Sequence, residues 1–205
     1  MNWDTIARHY AINFRAGADD QLDWFRRQTS LHDAVVIVAR AIDGRGKRFR
    51  HQTRIKRAAL AEAERLLLEN VGGLAEARSF HELWLLIERV LSHVAGLGEL
   101  YVYDTALRIG AYRNLLPDRV YLHAGTRTGA KRFGLNTRNR RWLDVSMLPF
   151  PLRDLPAQEI EDILCIYKSE TLSAAKSCAE PLAGCERPRV RNLIRPEQCP
   201  IRAVR

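Results

Sequence analysis

Apolar residues recur at three- and four-residue spacing along most of this chain, while the every-other-residue alternation of a half-buried strand is nearly absent. That period points to an all-α fold, because a strand would bury every second side chain and a helix buries one stripe every 3.6 residues. A chain of 205 residues can close such a core without disulfide or metal staples. The expected architecture is a compact multi-helix domain over residues 1–175. From Lys176 onward the period is lost, and Pro181, Pro188, Pro196 and Pro200 stand among arginines. Residues 176–205 therefore read as an irregular basic C-terminal tail.

Local signals place the helices. Trp3 to Phe14 is amphipathic, and Asp19 or Asp20 can cap a second helix carrying Leu22, Trp24 and Phe25. Ser30 with Asp33 forms a capping-box pattern ahead of the apolar run Ala34 to Ile42, whose β-branched residues leave a strand open as an alternative to a buried helix. Asp43-Gly44-Arg45-Gly46 marks a turn. Ala58 to Asn70 is rich in helix formers and is expected to end at Gly72-Gly73. Ser79 and Glu82 make a second capping box, followed by one apolar stripe of Leu83, Leu86, Ile87, Val90, Leu91 and Val94. Glu99 to Tyr112 repeats at helical spacing, Val120 to Leu122 is a short apolar piece, and a late helix is expected from Ala157 to about Leu172.

Charge narrows the partner. The formal net charge is +9, and it is clustered. Between Arg40 and Arg57 the cations Arg40, Arg45, Lys47, Arg48, Arg50, Arg54, Lys56 and Arg57 are opposed only by Asp43. A second group holds Arg127, Lys131, Arg132, Arg138, Arg140 and Arg141. Such patches attract phosphate backbones through counterion release, so a nucleic-acid partner is expected, with Lys47, Arg48, Arg50, Arg54, Arg127, Lys131 and Arg132 as contacts. An acidic protein is the other partner that this charge fits.

The longest apolar stretch, Ala34 to Ala41, is interrupted by Arg40 and falls far short of the roughly 20 residues that span a bilayer. No membrane partner is expected, and the acidic amino-terminal segment lacks a secretory layout, so a cytoplasmic location is expected. Cys165, Cys178, Cys185 and Cys199 match neither a disulfide framework nor paired CxxC ligands, and they read as free thiols. The expectation is no metal and no cofactor. Glu159, Glu161 and Asp162 suit the positive end of the late helix.

The stretch VLSHVAGLGELYVYDTALRIG resembles the helix-hairpin-helix DNA-binding motif, with Gly96-Leu97-Gly98 between two helices. The resemblance covers about a tenth of the chain, and Tyr101 and Val102 replace the smaller residues usual in the motif. It implies that Gly96 and Gly98 admit a DNA phosphate to backbone amides, which favours DNA over RNA. Tyr103 to Arg108 is also similar to the aspartate segment of DNA glycosylases of the helix-hairpin-helix class. That likeness implies a base-processing role for Asp104, although Asp104 follows Gly98 more closely than in those enzymes and their catalytic lysine has no counterpart. An N-cap role is the other reading of Asp104.

His123 precedes Gly125 to Lys131, whose glycine spacing does not fit a phosphate-binding P-loop; a helix starting near Thr126 is preferred. His123 is a candidate acid or base, or a structural hydrogen-bonding group. The leading expectation is a DNA-binding protein, with a base-processing enzyme using Asp104 and His123, or a helical protein-interaction module, as alternatives.

Overall fold

The computed structural model describes residues 2–169. They form a mostly helical fold with one two-stranded ribbon. The tail expected from Lys176, with Cys178, Cys185 and Cys199, lies outside the described residues.

The sequence predicts two separate helices before Ser30, but the structure has one helical run. α1 (Trp3–Tyr10) passes through a π-helical stretch, Ala11–Arg15, directly into α2 (Ala16–Arg26). The break suggested by Asp19 and Asp20 is absent. A mid-helix glycine costs only about 1 kcal/mol, and the burial of Ile6 and Tyr10 at one end and Leu22 and Phe25 at the other outweighs it. The π turn shifts the helical phase, so the two ends of the run serve two different cores.

α3 (Leu31–Ala39) settles the helix-or-strand ambiguity of its β-branched run. Ser30 Oγ accepts from Asp33 N at 3.0 Å and donates to Asp33 Oδ2 at 2.7 Å, fixing a helix start. The helix ends three residues short of Ile42, where Ala41 takes φ +57° and turns the chain. α4 (Arg57–Glu69) stops at Asn70, and Gly72 and Gly73 fall inside a short α5 (Val71–Glu76) instead of ending α4. α6 (Phe80–Leu91) starts at the expected Ser79 box and buries Phe80, Leu83, Trp84, Ile87 and Leu91.

α7 (Glu99–Arg113) is the central element: Tyr101, Tyr103, Thr105, Arg108 and Ala111 are all buried, so the helix is enclosed on nearly every side. After it come β1 (Arg119–Tyr121), α8 (Ala124–Arg132), β2 (Trp142–Asp144) and α9 (Ala157–Ile166). β1 and β2 pair antiparallel with Val120 opposite Leu143. These strands are too short for their alternation to register in the sequence.

Two apolar clusters result. The first joins α2 to α7, and the second joins α1, the ribbon, α8 and α9. β1 lies between them: Tyr121 belongs to the first, Val120 and Leu122 to the second. Among the described residues, no helix is long and apolar enough to cross a membrane.

Candidate functional site

The basic segment between α3 and α4 is a built loop. Asp43, the one acid opposing the cluster, spends Oδ1 on the backbone amides of Arg45 and Lys47, each at 2.9 Å. Ile42 and Arg48 form an isolated bridge, and Phe49 and Gln52 are buried beneath the loop. Arg48 folds back to donate to the Ile55 carbonyl at 3.0 Å. Arg45, Lys47, Arg50, Arg54, Lys56 and Arg57 are exposed, and among the described residues none of them forms an ion pair. By contrast Arg15, Arg26, Arg40, Arg65, Arg108, Arg119 and Arg141 each meet a carboxylate.

Asp104 anchors this loop from the middle of α7, so it is no helix cap. Its Oδ2 accepts from His51 Nε2 at 2.6 Å, Gln52 Nε2 at 2.8 Å and Arg108 Nη2 at 3.1 Å. Arg108 also donates to Gln52 Oε1 at 3.1 Å and lies 3.7 Å over the Phe49 ring. Burial would raise the Asp104 carboxyl, but Arg108 and then His51 outweigh it and hold it below the ordinary aspartate value. Sequence reasoning misses His51, Gln52 and Arg108; only the i, i+4 spacing of Asp104 and Arg108 signals a pair.

The glycine turn between α6 and α7 runs from Ser92 to Gly98, longer than the very short hairpin expected. Val94 and Leu97 pack against the first core, while Gly96, at φ +92°, and Gly98 are exposed. The positive φ at Gly96 is a position that favours glycine. A groove with about 880 Å³ of empty space separates α4 from the end of α6 and the start of the turn: Ala58, Ala59, Glu62 and Leu66 face Val90, His93, Val94 and Ala95, and of the exposed cations of the basic segment Lys56 borders it.

A second cleft, with about 350 Å³ of empty space, opens where α6, α7 and the β1–α8 turn meet. Trp84, Tyr103 and Tyr121 wall it, with Trp84 and Tyr121 centroids 4.7 Å apart, and Glu88, Glu99, His123, Arg127 and Arg141 complete it. Arg141 covers the Trp84 ring at 4.3 Å and pairs with Glu88. The Tyr103 hydroxyl is buried with no hydrogen-bond partner among the described residues. Burial and then the Glu161, Asp162 and Asp104 carboxylates push that phenol well above its ordinary value.

His123 is the N-cap of α8, which starts two residues before the position expected near Thr126. Its Nδ1 accepts from Gly125 N at 3.2 Å, and Nε2 lies 2.5 Å from Glu161 Oε1. Thr126 Oγ1 sits 2.6 Å from both Nε2 and Oε1. Burial pulls the imidazole down, but the hydrogen bond and charge of Glu161 outweigh it and leave the ring above its ordinary value. Both ring nitrogens are engaged, as a cap and a tie to α9 require. Asp104 and His123 are near enough to bias each other's ionisation, but they head separate networks.

The second basic group divides. Arg127 is turned inward, donating to the Leu122 carbonyl at 3.0 Å and the Arg140 carbonyl at 2.8 Å. Lys131 and Arg132 are exposed. Glu159 accepts from Arg15 at 2.7 to 3.1 Å, and Asp162 accepts from the Tyr10 hydroxyl at 2.8 Å, so the acidic start of α9 ties α1 and the π stretch to it. No protein-family model matches the chain, and neither curated proteins nor solved structures give a significant match.

Proposed function

We propose that this protein binds nucleic acid, with duplex DNA favoured, by gripping the phosphate backbone. The observation that carries this reading is the set of exposed cations without carboxylate partners clustered between α3 and the start of α4, of which Lys56 borders the groove between α4 and the end of α6. Exposed arginines without an ion pair also stand elsewhere among the described residues, at Arg8, Arg27, Arg78, Arg89, Arg138 and Arg153, so it is the clustering of Arg45, Lys47, Arg50, Arg54, Lys56 and Arg57 on one segment that singles this set out. Here the nearby acids are used to shape the loop: Asp43 holds its backbone and Asp104 holds His51 and Gln52. The cations are thus presented on a fixed scaffold, and ordering them costs less when a partner arrives.

Backbone contacts carry no sequence information, so affinity should be similar across duplex sequences and fall steeply with salt. Fluorescence anisotropy of a labelled duplex across salt concentrations tests this. Changing Lys47, Arg50 and Arg54 together to glutamine should flatten the log–log salt slope by about 0.9 for each phosphate no longer neutralised. An unchanged slope removes the loop from the interface. Equal retention on an acidic polypeptide would favour the acidic-protein partner instead.

A second reading rests on the aromatic cleft. Trp84, Tyr103 and Tyr121 form its buried aromatic floor, with Arg141 over the Trp84 ring, and the Tyr103 hydroxyl lacks a protein partner among the described residues. Stacking an extruded nucleobase there requires Arg141 to leave the Trp84 ring, and base release from modified duplexes is the assay for it.

A further inference from the structure

His123, Glu161 and Cys165 converge where α8 packs on α9. We propose that they bind a divalent transition-metal ion, Zn²⁺ by the character of the donors, which clamps the start of α8 to α9. One imidazole nitrogen, one carboxylate oxygen and the thiol sulfur lie within 4.8 Å of one another. A tetrahedral ion holds its ligands at about 2.0–2.3 Å, which puts them roughly 3.3–3.8 Å apart, so His123 Nε2 and Glu161 Oε1, now 2.5 Å apart, must part by roughly 0.8 Å as the ion enters between them and Cys165. Mixed nitrogen, oxygen and sulfur donors select zinc over magnesium or calcium.

The backbone is shaped for this convergence. Glu161 and Cys165 are one turn apart on α9 and share a face. Gly129 lets the helices close, since a Cβ there would stand 1.9 Å from the Leu164 carbonyl oxygen. Gly125 keeps room beside the donors: a Cβ would lie 3.0 Å from Cys165 Sγ and 3.2 Å from His123 Cε1.

The metal-free arrangement also leaves a cation something to satisfy. Nε2, Oε1 and Thr126 Oγ1 form a closed triangle with edges of 2.5 to 2.6 Å. A neutral ring and a hydroxyl bring two hydrogens to three edges, so one edge has none of its own. Metal binding releases the thiol proton to solvent and moves the ring proton from Nε2 to Nδ1, which gives up the bond from Gly125 N. A dication between a thiolate and a carboxylate then leaves no net charge in a site where His123 and Glu161 are buried. Thr126 Oγ1 or water completes the coordination.

The test is Co²⁺ titration, under reducing conditions, of the full chain carrying Cys178→Ser, Cys185→Ser and Cys199→Ser. Cys165 is then the sole thiol. The expected result is a sulfur-to-cobalt charge-transfer band saturating near one equivalent, displaced by Zn²⁺ and lost in Cys165→Ser. His123→Gln and Glu161→Gln should each weaken binding by more than about tenfold. No such band, or a band that neither substitution weakens, overturns the site. Should circular dichroism show the triple-serine chain unfolded, the titration compares the unaltered chain with Cys165→Ser, and identical cobalt spectra overturn it equally.

Discussion

Asp104 accepts three hydrogen bonds on one oxygen, and two of the donors, His51 and Gln52, belong to the basic loop. Removing its charge leaves Arg108, which is 4% exposed, without its counter-ion. Asp104→Asn should therefore cost about 3 kcal/mol, the scale for breaking one side of a buried ion pair, as read by urea unfolding. The pH dependence has a definite sign. The folded carboxyl lies below its ordinary value, so its stabilisation is full above the unfolded value near about 4 and is lost as pH falls through the folded one. The stability gap between parent and Asp104→Asn should hold steady at neutral pH and narrow on acidification. A gap that widens in acid would show that the residue is not held ionised by Arg108 and His51. Asp104 stands out in the sequence as an acid four residues before an arginine; its loop partners, more than fifty residues away, do not.

The glycine turn can be tested as an element because its two glycines differ. Gly96 has a positive φ, whereas Gly98 has φ −107° and nothing within 4 Å of where a Cβ would stand. Gly98→Val is therefore expected to change stability by no more than about 1 kcal/mol and, if phosphate approaches these amides, to weaken duplex binding well beyond that. Parental affinity in a folded Gly98→Val protein would reduce the turn to a connector between α6 and α7. Elements with strong local signals are legible in this way: the Ser79 and Ser30 boxes start α6 and α3 where expected. Those set by distant packing are not. The α1–α2 run is fixed by two cores at once, and the ribbon by pairing across the α8 segment. Of the site, His123 is legible, but Glu161 reads in the sequence only as a helix-end acid. The one available signal for its other role is its one-turn spacing from Cys165, combined with the His123–Thr126 spacing at the start of α8.

Two apolar clusters in one chain raise the question of whether they unfold as one. Several elements belong to both: the α1–α2 run sends Tyr10 to one core and Phe25 to the other, and β1 divides Val120 and Leu122 from Tyr121. α7 also packs on α8, next to the tie from His123 to Glu161. Separating the cores would require breaking the continuous α1–α2 helix, withdrawing Tyr121 from the first core and parting α7 from α8, while the Arg15–Glu159 ion pair and the Tyr10–Asp162 hydrogen bond hold the α1 end of that helix to α9. A single cooperative transition follows. Ile87→Ala in the first core and Ile160→Ala in the second, both at sites with no solvent exposure, should each destabilise by about 2–5 kcal/mol. Each should move the whole urea transition, read by far-ultraviolet circular dichroism and tryptophan fluorescence together, without changing its slope. If Ile160→Ala instead splits the curve, so that the helical signal falls in two steps while the fluorescence of Trp24 and Trp84, read in a chain carrying Trp3→Phe and Trp142→Phe, follows only the second, the shared elements are hinges between two independent units.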